Sequence, residues 1–336
     1  MDTTSLLHKL IQKQDVTSTE TGFLLAEMMR GKVSDIRISA LLTALAMKGE
    51  TVDEIIGFIQ TMRAHMVTLT TIDAIDVCGT GGDGKKTFNI STAVAFVVAG
   101  AGVKVAKHGN RAASSLCGSA DVLEKLGVHI ALEASQAQAV LEKVGMVFLF
   151  APLFHPSMKS VSLVRKELGV RTVFNFLGPF CNPAGVKRQL IGVPSIAVAE
   201  KLIQVGKKLR YEHLILVTSE DGLDEISVSQ KTYLYELKSD VISRLILDPK
   251  EYGFRYSADS IQGGTVDINA EIITNVLDGI IGQQRDIVLL NSAVALYVSG
   301  KTASIKEGLI LAKKSIDSGS AKAVLENLVK ETQQYA

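Results

Sequence analysis

Four glycines in six positions, Gly79, Gly81, Gly82 and Gly84, separate an apolar run from Ile72 to Val77 from a second run, Ala93 to Ala99. Few folds accommodate that order: a strand ends, the chain turns tightly through positive φ, and a helix begins. The main-chain N–H groups of such a loop can cradle a bulky anion, and the following helix start adds free N–H groups and a partial positive charge. Asn89, Ser91 and Thr92 lie at that helix start and add an amide and two hydroxyls. The expected guest is a phosphate or diphosphate. The loop fits neither common nucleotide pattern. No Lys-Ser/Thr pair follows a glycine at P-loop spacing, and Lys104 and Lys107 stand where a dinucleotide fold would place its ribose-binding carboxylate.

Residues 1–69 carry helix signals and no strand signal. Thr17 with Glu20, and Thr51 with Glu54, have capping-box spacing; Gly31 and Gly49 sit at helix stops; Ile38, Leu41, Leu42, Leu45 and Ala46 recur at helical spacing. From Ile72 the pattern changes to short apolar strands, Ile72–Val77, Val103–Ala106 and Met146–Phe150, alternating with helices near 90–101, 120–127 and 135–144. That alternation predicts a mainly parallel sheet. A helix is predicted over 157–170, then a turn-rich stretch from Leu177 to Pro183. Strands at Gln189–Val193 and His213–Thr218 flank a helix at 196–210, and a β-ribbon follows over about 226–237. The C-terminal stretch is chiefly helix, with Ile268–Gly282, Gln284–Gly300 and Ala303–Ser318 as candidates.

At 336 residues and 47% hydrophobic, the chain has enough material for two domains or one large α/β domain with an appendage. A net charge of +1 argues against a chain built to coat nucleic acid. Cys78, Cys117 and Cys181 lack C-x-x-C spacing, so neither a zinc site nor a disulfide framework is indicated, and reduced thiols in a cytoplasm are expected. The start, Met1 to Ser5, lacks the regions of a signal peptide, and apolar runs such as Ala93 to Val103 are too short to span a bilayer.

Three further clusters carry chemistry. Lys107, His108, Asn110, Arg111, Ser114 and Ser115 follow the second strand, with Gly109 inside the run, as expected of a loop wrapped around an anion at the carboxyl edge of a sheet. Gly118-Ser119-Ala120-Asp121 then opens a helix at which Ser119 offers a hydroxyl. Asp221, Asp224 and Glu225, just past the His213–Thr218 strand, repel one another unless a cation such as magnesium neutralises them. His155 and Arg165 stand ten residues apart, a loop residue and one on the next helix, and the Arg165 fork suits a carboxylate. His8, His65, His129 and His213 show no polar company in the sequence and are expected to be structural or surface residues.

Taken together, these clusters resemble the anthranilate phosphoribosyltransferases. The matching strings, in family order, are Cys78-Gly-Thr-Gly-Gly-Asp-Gly84, Thr87-Phe-Asn-Ile-Ser-Thr92, Lys107-His-Gly-Asn-Arg-Ala-Ala-Ser-Ser115, Gly118-Ser-Ala-Asp121, Arg165-Lys-Glu-Leu-Gly-Val-Arg-Thr172, Phe174-Asn175, Gly178-Pro179, Asn182-Pro183 and Asp221-Gly-Leu-Asp-Glu225. Lys48-Gly49-Glu50-Thr51 in the helical start also matches, so nearly the whole chain is covered. Leu116-Cys117 and Phe180-Cys181 depart from the usual pairs at their positions.

The resemblance implies a helical domain, residues 1–69 with a returning segment 160–188, beside a larger α/β domain of the nucleoside-phosphorylase type, 70–159 with 189–336. It implies a homodimer pairing through the helical domain, and a cleft site joining the anthranilate amine to C1 of phosphoribosyl diphosphate. By the same resemblance, Gly79, Gly82, Asp83, Thr87, Asn89, Ile90, Ser91, Thr92, Lys107, His108, Gly109, Asn110, Arg111, Ala112, Ala113, Ser114, Ser115 and Ser119 surround phosphoribosyl diphosphate. Ser91, Asp224 and Glu225 would hold Mg2+; Gly79, Asn110 and Arg165 would face anthranilate; His108 and His155 would line its route or pocket. Two other readings are a pyrimidine nucleoside phosphorylase, which would not need the Asp224-Glu225 pair, and a nucleic-acid-binding relative stripped of these motifs.

Overall fold

In the computed structural model the described residues are 2–70, 73–81, 83–112, 116–257 and 261–336. Four helices come first: α1 (Thr3–Ile11), α2 (Ser18–Met29), α3 (Asp35–Lys48) and α4 (Val52–His65). Both capping boxes form, Thr17 with Glu20 and Thr51 with Glu54. The second also ties the bundle together. Glu54 is fully buried, yet it accepts from Val16 N at 2.9 Å and from Lys48 Nζ at 3.0 Å. Helix formation and burial of a charge are reconciled by the same carboxylate.

The α/β part then runs β1 (Ile75–Gly79), α5 (Ile90–Gly100), β2 (Val105–Gly109), α6 (Ser119–Lys125), α7 (Ala134–Val144), β3 (Met146–Phe150) and a short α8 (Ala151–Phe154). Two helices, α9 (Lys159–Leu168) and α10 (Phe174–Phe180), return to the bundle before β4 (Arg188–Gly192), α11 (Ile196–Lys208), β5 (His213–Ser219), β6 (Thr232–Lys238) and β7 (Val241–Leu247). Four helices close the chain: α12 (Val266–Leu277), α13 (Gln283–Val298), α14 (Ile305–Asp317) and α15 (Ser320–Thr332).

Among the described residues seven strands lie in the order β3-β2-β1-β4-β5-β6-β7, parallel from β3 to β5 and antiparallel beyond. Connections therefore run one way from β1 through β3 and then the other way from β4. The switch point falls between β1 and β4, where open α/β sheets bind their ligands. Side chains alternate across the sheet. Ile75, Val77, Leu190, Ile215 and Val217 pack with α5 and α13 in one core, whereas Ile191, Val193, Leu214, Leu216 and Leu237 join the helical bundle in a second. α5 is apolar on all sides and almost wholly buried, as expected of a helix enclosed by other elements.

Several sequence expectations shift. The second strand is Val105–Gly109 and not Val103–Ala106, because Lys107 and His108 pair in register with Phe148 and Leu149 of β3. The stretch from Leu177 to Pro183 is not simply turn: it is helix as far as Phe180, with Pro179 inside α10. Such a helix is so short that a missing N–H near its end removes little. The ribbon is β6 with β7, later than 226–237. Its two-residue turn is Ser239-Asp240, with φ of 50° and 65° at non-glycine residues, which is the I′ pattern without the Asn-Gly that would announce it. α15 is a further helix, beyond those expected from the sequence. His213 does have polar company: its Nε2 lies 2.7 Å from Glu236 Oε1, and this contact holds the Glu236 carboxyl below its ordinary range.

Candidate active site

At the switch point the ends of β1 and β4 come together as a glycine pair, Gly79 opposite Gly192. A Cβ on Gly192 would stand 1.6 Å from the Asp224 carbonyl oxygen, and one on Gly79 would stand 2.8 Å from Asp224 Oδ2. Two bare backbones thus let the Asp221–Glu225 turn settle against the end of the sheet. A narrow crevice opens there, lined by Cys78, Ser91, Gly192, Glu225 and Asn291. A wider depression of about 630 Å³ lies at the opposite, amino edge of the sheet, among Arg188, Glu212, His213, Lys238 and Lys301. None of the expected site residues lines it.

The glycine loop leaves β1 with positive φ at Gly81 and Gly84. Its shape is held from both sides. Arg171, from the returning segment, donates Nη2 to Gly81 O at 2.8 Å, and Gly263 N donates to Lys86 O at 2.9 Å. Thr87 forms an isolated bridge with Gln262. Sequence reasoning misses the 261–263 strap, since nothing in it marks the partner of a loop so far away in the chain. Gly82, Ala113, Ser114 and Ser115, all expected in the site, lie outside the described residues.

Lys107 is 2% exposed and donates to Val77 O at 2.7 Å and to Ser91 Oγ at 3.1 Å, so its ammonium lies between β1 and the start of α5. Burial pushes its pKa down, opposed by the charges of Asp76, Cys78 and Glu225. Asn89 turns its amide to Cys117 O at 3.2 Å and so joins the two loops. Ile90 and Thr92 are buried at the start of α5, where the Ile90 side chain belongs to the surrounding core. Arg111 departs most from expectation. Its guanidinium is bound by Asp121 and Glu124 of α6 and its N–H by Asn110 Oδ1, so this side chain is engaged within the loop. Asp121 also accepts from Ala112 N and Gly118 N, while Ser119 Oγ donates to Asn110 O, which closes the loop after Gly109 upon α6.

Asp83, Asp224 and Glu225 form an acidic trio beside Ser91. Burial, and then the charge of Asp83, push the Asp224 carboxyl up to about 7. Burial and Asp224 push Glu225 well above its ordinary value, opposed by Lys107 and the Ser91 N–H. Asp83 Oδ2 is buried without a partner among the described residues. Asp221, by contrast, is satisfied by the Ser219 and Ser227 hydroxyls and stands apart from the trio. No three His, Cys, Asp or Glu among the described residues enclose an ion by themselves. An open set of this kind suits a cation that keeps waters and shares substrate oxygens.

His108 and His155 face each other with ring centroids 5.1 Å apart. Burial pushes His108 down to about 3 and His155 to about 4, so both rings are neutral near pH 7. His108 Nδ1 lies 3.2 Å from Gly178 O and therefore carries the proton, which leaves Nε2 as a lone-pair acceptor. Neither Nε2 has a partner among the described residues. Arg165 is exposed, stacks 4.9 Å from the Phe174 ring centroid, and has no carboxylate partner among the described residues. Phe174 begins the helix whose Gly178 meets His108, so Arg165 and the histidines share the α10 wall.

Residues 71–322 match the profile of the glycosyl transferase family a/b domain, and residues 4–66 that of its helical bundle domain. Anthranilate phosphoribosyltransferase of Pelotomaculum thermopropionicum is 48% identical over 97% of this chain and 95% of its own length, and that of Alkaliphilus metalliredigens is 47% identical over 98% of each. Among solved structures, the Thermus thermophilus enzyme superposes with a TM-score of 0.91 at 37% identity, covering 98% of this chain and 99% of that one. The Saccharomyces cerevisiae enzyme in complex with PRPP and Mg gives 0.92 at 29% identity, covering 99% and 98%. The chain belongs to the anthranilate phosphoribosyltransferase family, whose helical-bundle and a/b domains it carries in full order.

Proposed function

We propose that this chain transfers the phosphoribosyl group of 5-phosphoribosyl 1-diphosphate to the amino group of anthranilate, the second step of L-tryptophan synthesis from chorismate. A C1–N bond forms, the C1–O bond to diphosphate breaks, and the amine proton leaves to solvent. Identity of 48% over nearly the full chain to an anthranilate phosphoribosyltransferase carries this reading, since the site motifs all fall within the aligned length. An aromatic amine is neutral near pH 7 and needs no strong base. The larger tasks are alignment and neutralising the leaving group. Two neutral histidines and an abundance of anion-binding backbone agree with that division of labour.

The assignment puts phosphoribosyl diphosphate on the Gly79–Thr92 and Lys107–Ser119 loops, Mg2+ on Ser91, Asp224 and Glu225, and anthranilate by Gly79, Asn110 and Arg165. A bound Mg2+ would act as a Lewis acid on the departing diphosphate. The domains follow as 1–69 with 160–188, and 70–159 with 189–336. Burial of Val161, Val164, Phe174 and Leu177 in the same core as Leu25 and Phe58 supports the returning segment. Exposed Ile36, Met47 and Leu163 on the helical layer support homodimer pairing there. No helix among the described residues is long and apolar enough to cross a membrane, and the proposed location is the cytoplasm. Loss of anthranilate fluorescence on mixing with phosphoribosyl diphosphate, with and without magnesium, tests the function. Phosphate-dependent nucleoside cleavage without that loss would favour the phosphorylase reading.

Arg165→Ala should raise the KM for anthranilate by about 10- to 150-fold, the worth of one charge-assisted contact, with far less change for phosphoribosyl diphosphate. Arg165→Lys should restore only part, because an ammonium lacks the planar fork. A rise confined to the phosphoribosyl diphosphate KM would move Arg165 to the phosphate side of the cleft.

The trio supplies a linkage test. The Asp224 carboxyl titrates near 7 in the folded chain against 3.8 ordinarily. Between those values the folded state holds the extra proton, so stability falls as pH rises through this window. A cation competes with that proton. Magnesium should therefore raise Tm more near pH 8 than near about pH 6. Equal increments at both would separate the metal from Asp224.

A further inference from the structure

The sheet face that α10, α4 and α11 cover is apolar at Ile191, Val193, Leu214 and Leu216, yet Asp76 and Gln189 point to the same side. Asp76 is fully buried. Its Oδ2 accepts from Asn182 Nδ2 at 2.8 Å and Gln189 Nε2 at 3.1 Å, and its Oδ1 from His108 N at 3.3 Å. The two amides reach onward. Asn182 donates to Ala106 O at 2.8 Å and Gln189 to Pro179 O at 2.8 Å. Gln189 Oε1 is left buried without a partner among the described residues, a cost that an apolar side chain would avoid.

Four segments therefore meet on one carboxylate: β1, which carries Asp76 and launches the glycine loop, β2 with Lys107 and His108, β4 with Gln189, and the chain just past α10 at Asn182. The last contact closes the circuit, since His108 Nδ1 donates to Gly178 O. Burial pushes the Asp76 carboxyl up to about 6, opposed by Lys107, so above that pH it accepts all three donors as an anion.

We propose that Asp76 is a positioning residue: its carboxylate locks His108 and the Gly178–Asn182 end of α10 to the glycine-loop strand and so sets the aromatic subsite relative to the phosphate loops. Asp76 itself touches neither substrate. The proposal rests on the function given above, because the subsites it aligns are those of that reaction.

Asp76→Asn keeps the shape and cannot keep the bonds. Whichever way the amide turns, its NH2 faces either the His108 N–H or the Asn182 and Gln189 donors. The expected result is a fall of about 10- to 100-fold in kcat, and with it in kcat/KM for anthranilate, while the KM for phosphoribosyl diphosphate moves little, the signature of a misaligned aromatic subsite beside an intact phosphate site. Nitrogen NMR of the imidazoles should show His108 as the Nδ1–H tautomer in the parent and lose that signature in the variant. Gln189→Leu should give the same split in weaker form, and decides the matter if Asp76→Asn does not fold. Leu25→Ala, buried in the bundle, is the comparison: it should lower Tm and leave both KM values alone. If the Asp76 variant behaves like Leu25→Ala, with an unchanged His108 spectrum, the carboxylate is only structural and the proposal fails. If the parent chain does not consume anthranilate at all, the function is wrong, and the His108 spectrum still decides whether the tie exists.

Discussion

Asp224→Asn combined with Glu225→Gln is expected to lower turnover by about 100- to 1,000-fold, the scale at which removal of electrostatic stabilisation of a leaving group is felt. The fold should survive, and in the absence of magnesium it should gain. Asp83, Asp224 and Glu225 repel one another, and Asp224 carries a carboxyl already pushed up to about 7. Neutral amides remove that repulsion, so near about pH 8 without metal the double variant should melt above the parent. Steady-state turnover and calorimetry on the same preparation read the two opposite shifts. Near-parental turnover at limiting magnesium would take the metal away from this turn. A lowered Tm would show that the carboxylates are satisfied in some other way.

Gly192→Ala should be the most damaging single methyl group in the α/β domain. Its Cβ would stand 1.6 Å from Asp224 O and 2.7 Å from Asp224 C, both backbone atoms that cannot rotate aside. The β4 end and the acidic turn must separate. Overpacking of this kind costs about 1–3 kcal/mol or more, and a displacement of roughly 1 Å at the reacting centre costs about 100-fold in rate. Gly57→Ala provides the contrast, since its Cβ would meet Ser18 O and Thr21 Oγ1, each at 2.1 Å, between α2 and α4. Similar losses of stability are expected from the two variants, with the rate falling only for Gly192→Ala. Equal rates in the two would mean that the position of Asp224 is not set by β4.

The features legible in the sequence have local causes. Thr17 and Thr51 each sit three residues before a glutamate and start helices; Met146 to Phe150 is an uninterrupted apolar run and is a strand at those bounds. The glycine loop and the acidic turn stand out by composition, and the sheet places both at one switch point. The features that are not legible depend on pairings that no local sequence pattern announces. Ser239-Asp240 turns a hairpin because β6 and β7 pair around it, Pro179 is tolerated in α10 because it lies at the end of a short helix, and Arg111 pairs with Asp121 and Glu124 across the loop to α6. Asp76 looks like an ordinary polar residue in an apolar run. Only the meeting of four segments on its carboxylate singles it out as the proposed anchor.

The second core has a consequence for how such chains can be divided. The amino-terminal helices share one apolar cluster with residues of α9, α10 and α11 and with the β4, β5 and β6 side chains on one face of the sheet. The bundle therefore has no floor of its own. Sequence profiles separate the chain near residue 70, but no cut there yields a fragment with a closed interior. Exchange of the helical part between relatives is therefore expected to need the matching β4–β6 face to travel with it.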